Sequence, residues 1–215
     1  MGLRRVVLSE GEFYHVYNHA SHNLQLFSTN QSYGQFLEAV NFYVQSRPLV
    51  RFSIYKKSRN SHPIDLLDPL VRVICFCLMP NHYHFVLKQE KNEGIRKFIQ
   101  RLCNSYSHYY NKKNKSGGSL FKGNFRAVRI ENNEQLLHLS RYIHLNPVTD
   151  YFVEKPEDWH FSSYCDYVGN GRFDFIEPDV ILDQFSEKKD YQKFVLSRKD
   201  FQRKLGVIKK LLIDN

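Results

Sequence analysis

A chain of 215 residues is long enough for one well-packed domain with an appendage or, at most, two small domains. Its 31 basic residues against 22 acidic ones give a net charge of +9 and a pI near 9.3, and an aromatic share of 15% supplies stacking surfaces, so the balance points to a polyanionic partner such as nucleic acid. No apolar stretch reaches the roughly 18 residues needed to span a bilayer, the first residues lack a signal-peptide core, and Cys75, Cys77, Cys103 and Cys165 form no Cys-x-x-Cys pair, which sets aside the membrane and disulfide-framework classes and leaves a cytoplasmic protein as the expectation.

Phe13-Tyr14-His15-Val16-Tyr17-Asn18-His19 is aromatic with a β-branched valine and reads as a first strand. Phe36, Val40, Tyr43 and Val44 recur at helical spacing between Gln31 and Arg47, giving a first helix. Arg51 to Leu70 is a polar, basic stretch that fits no required element and reads as an inserted loop or strand pair, a candidate for contacting DNA. Val71 to Leu78 is nearly continuous in apolar residues, as in a strand buried on both faces, and a turn at Pro80-Asn81 leads into its hairpin partner, His82 to Leu87. Ile95, Ile99, Leu102, Tyr106 and Tyr109 keep a helical period that stops near Lys112 to Gly118. Phe125 to Ile130 reads as a fourth strand. Asn132 or Asn133 then caps a helix with Glu134 in its first turn, expected to end near Asn146 because Pro147 follows.

The order β-α-β-β-α-β followed by a further helix is the split βαβ pattern of an α+β, ferredoxin-like or RRM-like sheet. The expected organisation is a catalytic domain over residues 1–160 and a helical C-terminal extension over 161–215, in which Ile181, Leu182, Phe185, Phe194 and Val195 pack on the same core or on a partner.

Strand alternation puts His82 and His84 on one face and Tyr83 on the other, so two imidazoles are offered to a divalent metal. Helical spacing puts Tyr142 and Asn146 on one face, a phenol beside an amide oxygen able to complete the same site. Two imidazoles, a carboxamide and a tyrosine are the parts needed to cleave a phosphodiester covalently, the metal acting as a Lewis acid on the phosphate oxygens. A mixed nitrogen and amide-oxygen set acting on phosphate favours Mg2+ or Mn2+, with zinc as a rival. His138, one turn before Tyr142, is an auxiliary candidate for tuning the phenol. Tyr106 and Tyr110, also four apart, are a rival nucleophile pair, although Tyr106 falls on the apolar stripe of its helix.

Met79-Pro80-Asn81-His82-Tyr83-His84-Phe85 resembles the His-hydrophobe-His signature of single-tyrosine HUH transposases, and Arg141-Tyr142-Ile143-His144-Leu145-Asn146-Pro147-Val148 resembles the tyrosine helix of their REP-associated branch. The likeness extends through Tyr14-His15-Val16-Tyr17-Asn18, Gly118-Ser119-Leu120-Phe121-Lys122-Gly123 and Trp159-His160-Phe161-Ser162-Ser163-Tyr164, covering the chain from Phe13 to about Gly169. It implies a bacterial, metal-dependent enzyme that binds single-stranded DNA near a hairpin, cuts one strand, stays attached to the 5′ phosphate through Tyr142 and can then rejoin strands. By position His82, His84 and Asn146 are the implied metal ligands. The candidate DNA contacts are His15, Asn18, Arg96, Lys97, Arg101, Lys122, Arg126 and Arg129, with Arg126 and Arg129 on opposite faces of a regular strand. The chain departs from the family pattern at His19-Ala20, where Arg-Gly is common, and at Asn124, where an arginine often follows Phe-x-Gly. A homodimer and a monomer both remain open, and a non-catalytic single-stranded nucleic-acid-binding regulator, a domesticated transposase or an RRM-like module, is the alternative reading.

Overall fold

The computed structural model describes residues 6–21, 24–58, 63–169 and 171–203. Its core is a four-stranded antiparallel sheet in the order β2-β3-β1-β4, built from β1 (Phe13–His19), β2 (Val71–Met79), β3 (His82–Gln89) and β4 (Arg126–Arg129). The helices α1 (Asn30–Tyr43) and α3 (Gly94–Asn114) make the two crossovers, which is the ferredoxin-like arrangement expected from the element order. Thr29 caps α1 through the Ser32 amide. α3 starts at Gly94, where an added Cβ would lie 2.2 Å from the Leu70 carbonyl oxygen, so only glycine lets the helix approach β2 this closely.

The two faces of the sheet differ in what they carry. Tyr14, Val16, Tyr83, Phe85 and Leu87 share one face by register and are fully buried, with Phe36 of α1 and Phe98 of α3 against Phe85. The other face carries His15, Tyr17, His19, His82, His84 and Cys77, and is covered by α4 (Asn133–Thr149). The four cysteines are free, and among the described residues no helix is long and apolar enough to cross a membrane.

Three expectations are corrected or narrowed. First, α4 does not stop at Asn146: it runs through Pro147 to Thr149. Proline removes one N–H from the ladder, and the last turn is instead held by Asp150 N–H to Asn146 O at 3.0 Å and Phe152 N–H to Pro147 O at 2.9 Å. Second, among the described residues the 51–70 insertion follows the loop alternative and forms no strand pair. It contributes a short helix, α2 (Phe52–Tyr55), whose Phe52 and Tyr55 pack against Phe42 of α1, away from the histidine face; residues 59–62 lie outside the described residues.

Third, the segment after Phe161 is more than helical. Besides α5 (Tyr164–Val168), α6 (Asp179–Leu182) and α7 (Lys188–Leu196), it lays extended chain along the outer edge of β2. Leu78 N–H donates to Phe161 O, Ser163 N–H to Phe76 O and Glu177 N–H to Val73 O, at 2.9, 3.1 and 3.0 Å. An edge that would otherwise expose unpaired backbone groups is thereby closed. The part of the predicted extension beyond residue 203 lies outside the described residues.

A buried polar chain then ties α4 to this frame. Ser140 donates to the Leu137 carbonyl and Tyr191 to Ser140 Oγ at 3.1 Å, so the phenol oxygen accepts from His144 Nδ1 at 2.7 Å. His144 Nε2 is then the acceptor for Ser163 Oγ at 2.9 Å, and Ser163 in turn takes the Phe76 N–H. Every member has a partner, which is the condition under which a buried polar network specifies one packing. Full burial pulls the His144 imidazolium pKa from 6.5 down to about 3. The unfolded chain therefore binds a proton between those values that the folded one refuses. Stability contributed by neutral His144 is complete above pH 6.5 and is lost as pH falls towards 3. Urea unfolding at pH 7 and pH 5 should show a loss of at least about 2 kcal/mol; an equal unfolding free energy at the two pH values would contradict a neutral buried His144.

Candidate active site

Antiparallel pairing of β1 with β3 sets His19 opposite His82 and Tyr17 opposite His84. The result is a cluster of rings on one face. His82 and His84 meet edge to face at 4.9 Å between centroids, His19 stacks on His82 at 4.9 Å, and His15 stacks on His84 at 5.1 Å. Tyr17 lies against both His15 and His84, at 4.8 and 5.8 Å. From α4, Tyr142 comes down on His84 edge to face, 5.8 Å away. Tyr83 points to the opposite face and is buried, as alternation predicts.

The ring nitrogens are specifically engaged. His82 Nδ1 bonds Asn81 Oδ1 at 2.7 Å, which requires Nδ1 to carry the proton and leaves Nε2 with its lone pair. His84 Nδ1 bonds His15 Nε2 at 2.9 Å, so a proton is shared between those two rings and His84 Nε2 is the atom left over. Desolvation holds the His15 and His82 pKa values down at about 4 and that of His84 well below its usual range. All three are neutral imidazoles at neutral pH, the form that binds metals.

Asn146 joins the strand to the helix, its amide lying close enough to both His82 and the Tyr142 phenol to shift their pKa values. It is 5% exposed, yet its Nδ2 has no hydrogen-bond partner. Among the described residues no set of three or more His, Cys, Asp or Glu is arranged to hold an ion. A cation here would therefore take the two imidazoles plus the amide of Asn146. The donor set fits: two neutral rings, each oriented by a bond at its other nitrogen, beside a buried amide with an orphaned end. Burial raises the Tyr142 pKa above its usual 10; the nearby Asn146 amide lowers it in part, and the negative charge of Asp150 adds to the rise.

The other predicted residues divide. Lys122 and Arg126 both lie close enough to His19 to depress its pKa, after the larger effect of burial, so they form a cationic rim on the histidine face. Asn18 faces the opposite side, where its Nδ2 donates to Gly123 O at 3.3 Å and fixes the loop that carries Lys122. His15 is enclosed beside His84. Arg129, on the face opposite Arg126, pairs with Glu12 at 2.8 Å. Arg96, Lys97 and Arg101 sit on α3, across the sheet from the histidines, where Arg96 pairs with Glu93 and Arg101 donates to Ser46 O. His138 is turned outwards to Arg141, Glu134 and Phe194. Tyr106 lies on the α3 side too, its hydroxyl donating to Leu26 O at 2.5 Å and its ring packed on Phe27 and Phe36, which separates it from His82 and His84 by the thickness of the sheet.

The sequence reading missed His19 and Tyr17 as parts of the ring cluster. The signal was present: His15, Tyr17 and His19 alternate along β1 in the same period as His82 and His84 along β3.

Residues 67–146 match the family model described as an IS200-like transposase, a span that contains His82, His84, Tyr142 and Asn146. A curated REP-associated tyrosine transposase of Haemophilus influenzae is 25% identical over 124 residues, which are 52% of this chain and 65% of the relative; the chain thus matches less than two thirds of that protein's length. Among solved structures, a REP-associated tyrosine transposase bound to a REP hairpin superposes with a TM-score of 0.57 at 16% identity, over 82% of this chain and 98% of the other. With the four-residue constellation inside the matched span and the same fold over most of its length, the chain is similar to the IS200-like and REP-associated tyrosine transposases.

Proposed function

We propose that this protein is a metal-dependent transposase that cleaves and rejoins single-stranded DNA at hairpin-flanked sites, with Tyr142 as the nucleophile. The observation that carries the reading is the convergence of Tyr142 and Asn146 from α4 onto the imidazoles of His82 and His84 from β3 within one chain. A hairpin as the DNA partner is supported by the solved relative, which was bound to one.

The Tyr142 phenol attacks the phosphorus of a strand. A bond from its oxygen to phosphorus forms, the bond from phosphorus to the 3′ oxygen breaks, the phenolic proton leaves, and the departing 3′ oxygen takes up a proton to become a hydroxyl. The phosphotyrosine ester keeps a reactive phosphodiester, so another 3′ hydroxyl can reverse the step and rejoin strands without a nucleotide cofactor. His82, His84 and Asn146 would hold the divalent ion, Mg2+ or Mn2+, which supplies Lewis-acid stabilisation of charge on the phosphate. Lys122 and Arg126 at the rim attract the DNA backbone, and Asn146, in contact with both Tyr142 and His82, sets the nucleophile's position relative to the ligand histidines. His15 acts through His84 by fixing its tautomer.

Two measurements test this. Purified protein incubated with Mn2+ and hairpin oligonucleotides taken from palindromes flanking the gene should give a covalent protein–DNA adduct on a denaturing gel, absent in Tyr142→Phe and retained in Tyr106→Phe. Adduct in Tyr142→Phe would remove the assignment, and robust binding with no adduct under any metal would favour the non-catalytic regulator. Separately, calorimetric titration should show Mn2+ affinity falling about 10- to 100-fold in His15→Leu, with most of it kept in His15→Gln, which can still hydrogen-bond His84.

A further inference from the structure

α4 ends in a way that favours glycine and does not have it. The Tyr151 N–H bonds the Val148 carbonyl at 3.2 Å and the Phe152 N–H bonds the Pro147 carbonyl at 2.9 Å, the paired bonds of a Schellman motif, which places Tyr151 at the left-handed position with φ +61°. Glycine adopts that conformation without penalty, whereas a tyrosine there is strained. The ring gains little from burial in exchange: Tyr151 is 57% exposed and the following Phe152 is 51% exposed. Two large aromatics thus stand side by side in solvent immediately after the helix that carries Tyr142 and Asn146.

Their surroundings are built. The Arg203 guanidinium lies over the Tyr151 ring at 4.8 Å, held there by the Val148 carbonyl and Glu154. Phe152 packs at 5.6 Å on Trp159, whose Nε1 donates to Leu78 O at 3.0 Å. Leu78 adjoins Met79, the register partner of His82, so the pair sits at the end of the sheet where His82 lies. Lys199 pairs with Glu154 in the same patch. Exposed aromatic faces backed by a guanidinium are what successive unpaired bases stack upon, and such stacking tolerates any base.

Resting on the reading of the site given above, we infer that Tyr151 and Phe152 form a base-stacking platform for the unpaired nucleotides next to the scissile phosphate, distinct from whatever contacts the duplex of the hairpin. The backbone strain at Tyr151 is the cost of presenting a ring where glycine would be more stable.

The test uses the full-length Tyr142→Phe protein, which cannot cleave, and two probes: a hairpin from a gene-flanking palindrome carrying a single-stranded oligo-dT extension, and the same hairpin blunt-ended. Tyr151→Gly and Phe152→Ser should weaken binding of the extended hairpin about 5- to 150-fold, the range for one stacked base, leave the blunt hairpin unchanged, and, for Tyr151→Gly, keep or raise the melting temperature. Tyr151→Phe should restore the extended-hairpin affinity. Unchanged affinity in both variants, or an equal loss with both probes, overturns the platform. A lower melting temperature in Tyr151→Gly with unchanged DNA affinity assigns the ring to packing under Arg203 and overturns it as well. Failure of the parent protein to bind either probe would instead overturn the DNA reading on which the platform rests.

Discussion

Everything at the candidate site depends on the register between β1 and β3. Pairing His19 with His82 and Tyr17 with His84 puts the histidines and Tyr17 on the side facing α4, and the same register puts Tyr14, Val16, Tyr83 and Phe85 against α1 and α3. Side chains alternate with a period of two, so a slip of one residue in β3 would drive His82 and His84 into the aromatic layer of Phe36, Phe98 and Tyr106 and expose Tyr83 and Phe85 towards α4. Burying polar imidazoles among phenylalanines without partners costs several kcal/mol, about 1 to 3 for each unsatisfied group. The apolar core on one face therefore enforces the polar cluster on the other.

The second constraint is the placement of α4, which has to hold Tyr142 over His84 with little help from its own sequence. Its N-terminus is capped by Asn132 through the Gln135 amide, but its position is set from outside, by the His144–Tyr191–Ser163 chain and by the edge segment that seals β2. The C-terminal extension is thus part of the frame of the site. His144, although only two residues from Tyr142, faces away from it into the core. Helical geometry sends those two side chains in directions about 160° apart on a helix of 3.6 residues per turn, so a single helix carries both Tyr142 and the anchor that positions it.

The electrostatics of the site follow from the same layering. Imidazoles buried under α4 are neutral because desolvation outweighs any benefit of protonation, and cationic residues gather at the rim, where Lys122 and Arg126 keep their contact with water. A neutral floor with lone pairs and a positive rim suits a phosphate approached from the side of β4. The positive charge on α3, which the composition alone makes equally attractive, is separated from this floor by the whole sheet.

Much of this was legible in the chain. Alternation placed His82, His84 and Tyr83, the helical period placed Tyr142 beside Asn146, and the order of elements named the sheet, because each of these rests on local geometry that neighbours in sequence share. Other features rested on contacts between distant residues. Pro147 suggested the end of a helix, yet bonds from Asp150 and Phe152 carry the turn past it. The basic residues of α3, candidate DNA contacts in the sequence, lie across the sheet from the histidines, and Tyr106, which the helical period already places on an apolar stripe, is fully buried. His15 and His19 read as part of an aromatic strand, and only pairing with β3 turned them into partners of His84 and His82. The sequence by itself determined the type, order and facing of the elements and which chemical groups are available, since these follow from periods of two and 3.6 along the chain. Tertiary structure alone decided which face of the sheet meets which helix and which imidazole bonds which, because these are set by packing between segments far apart in the chain, as Tyr14 is from its partner Arg129, where no local rule reaches.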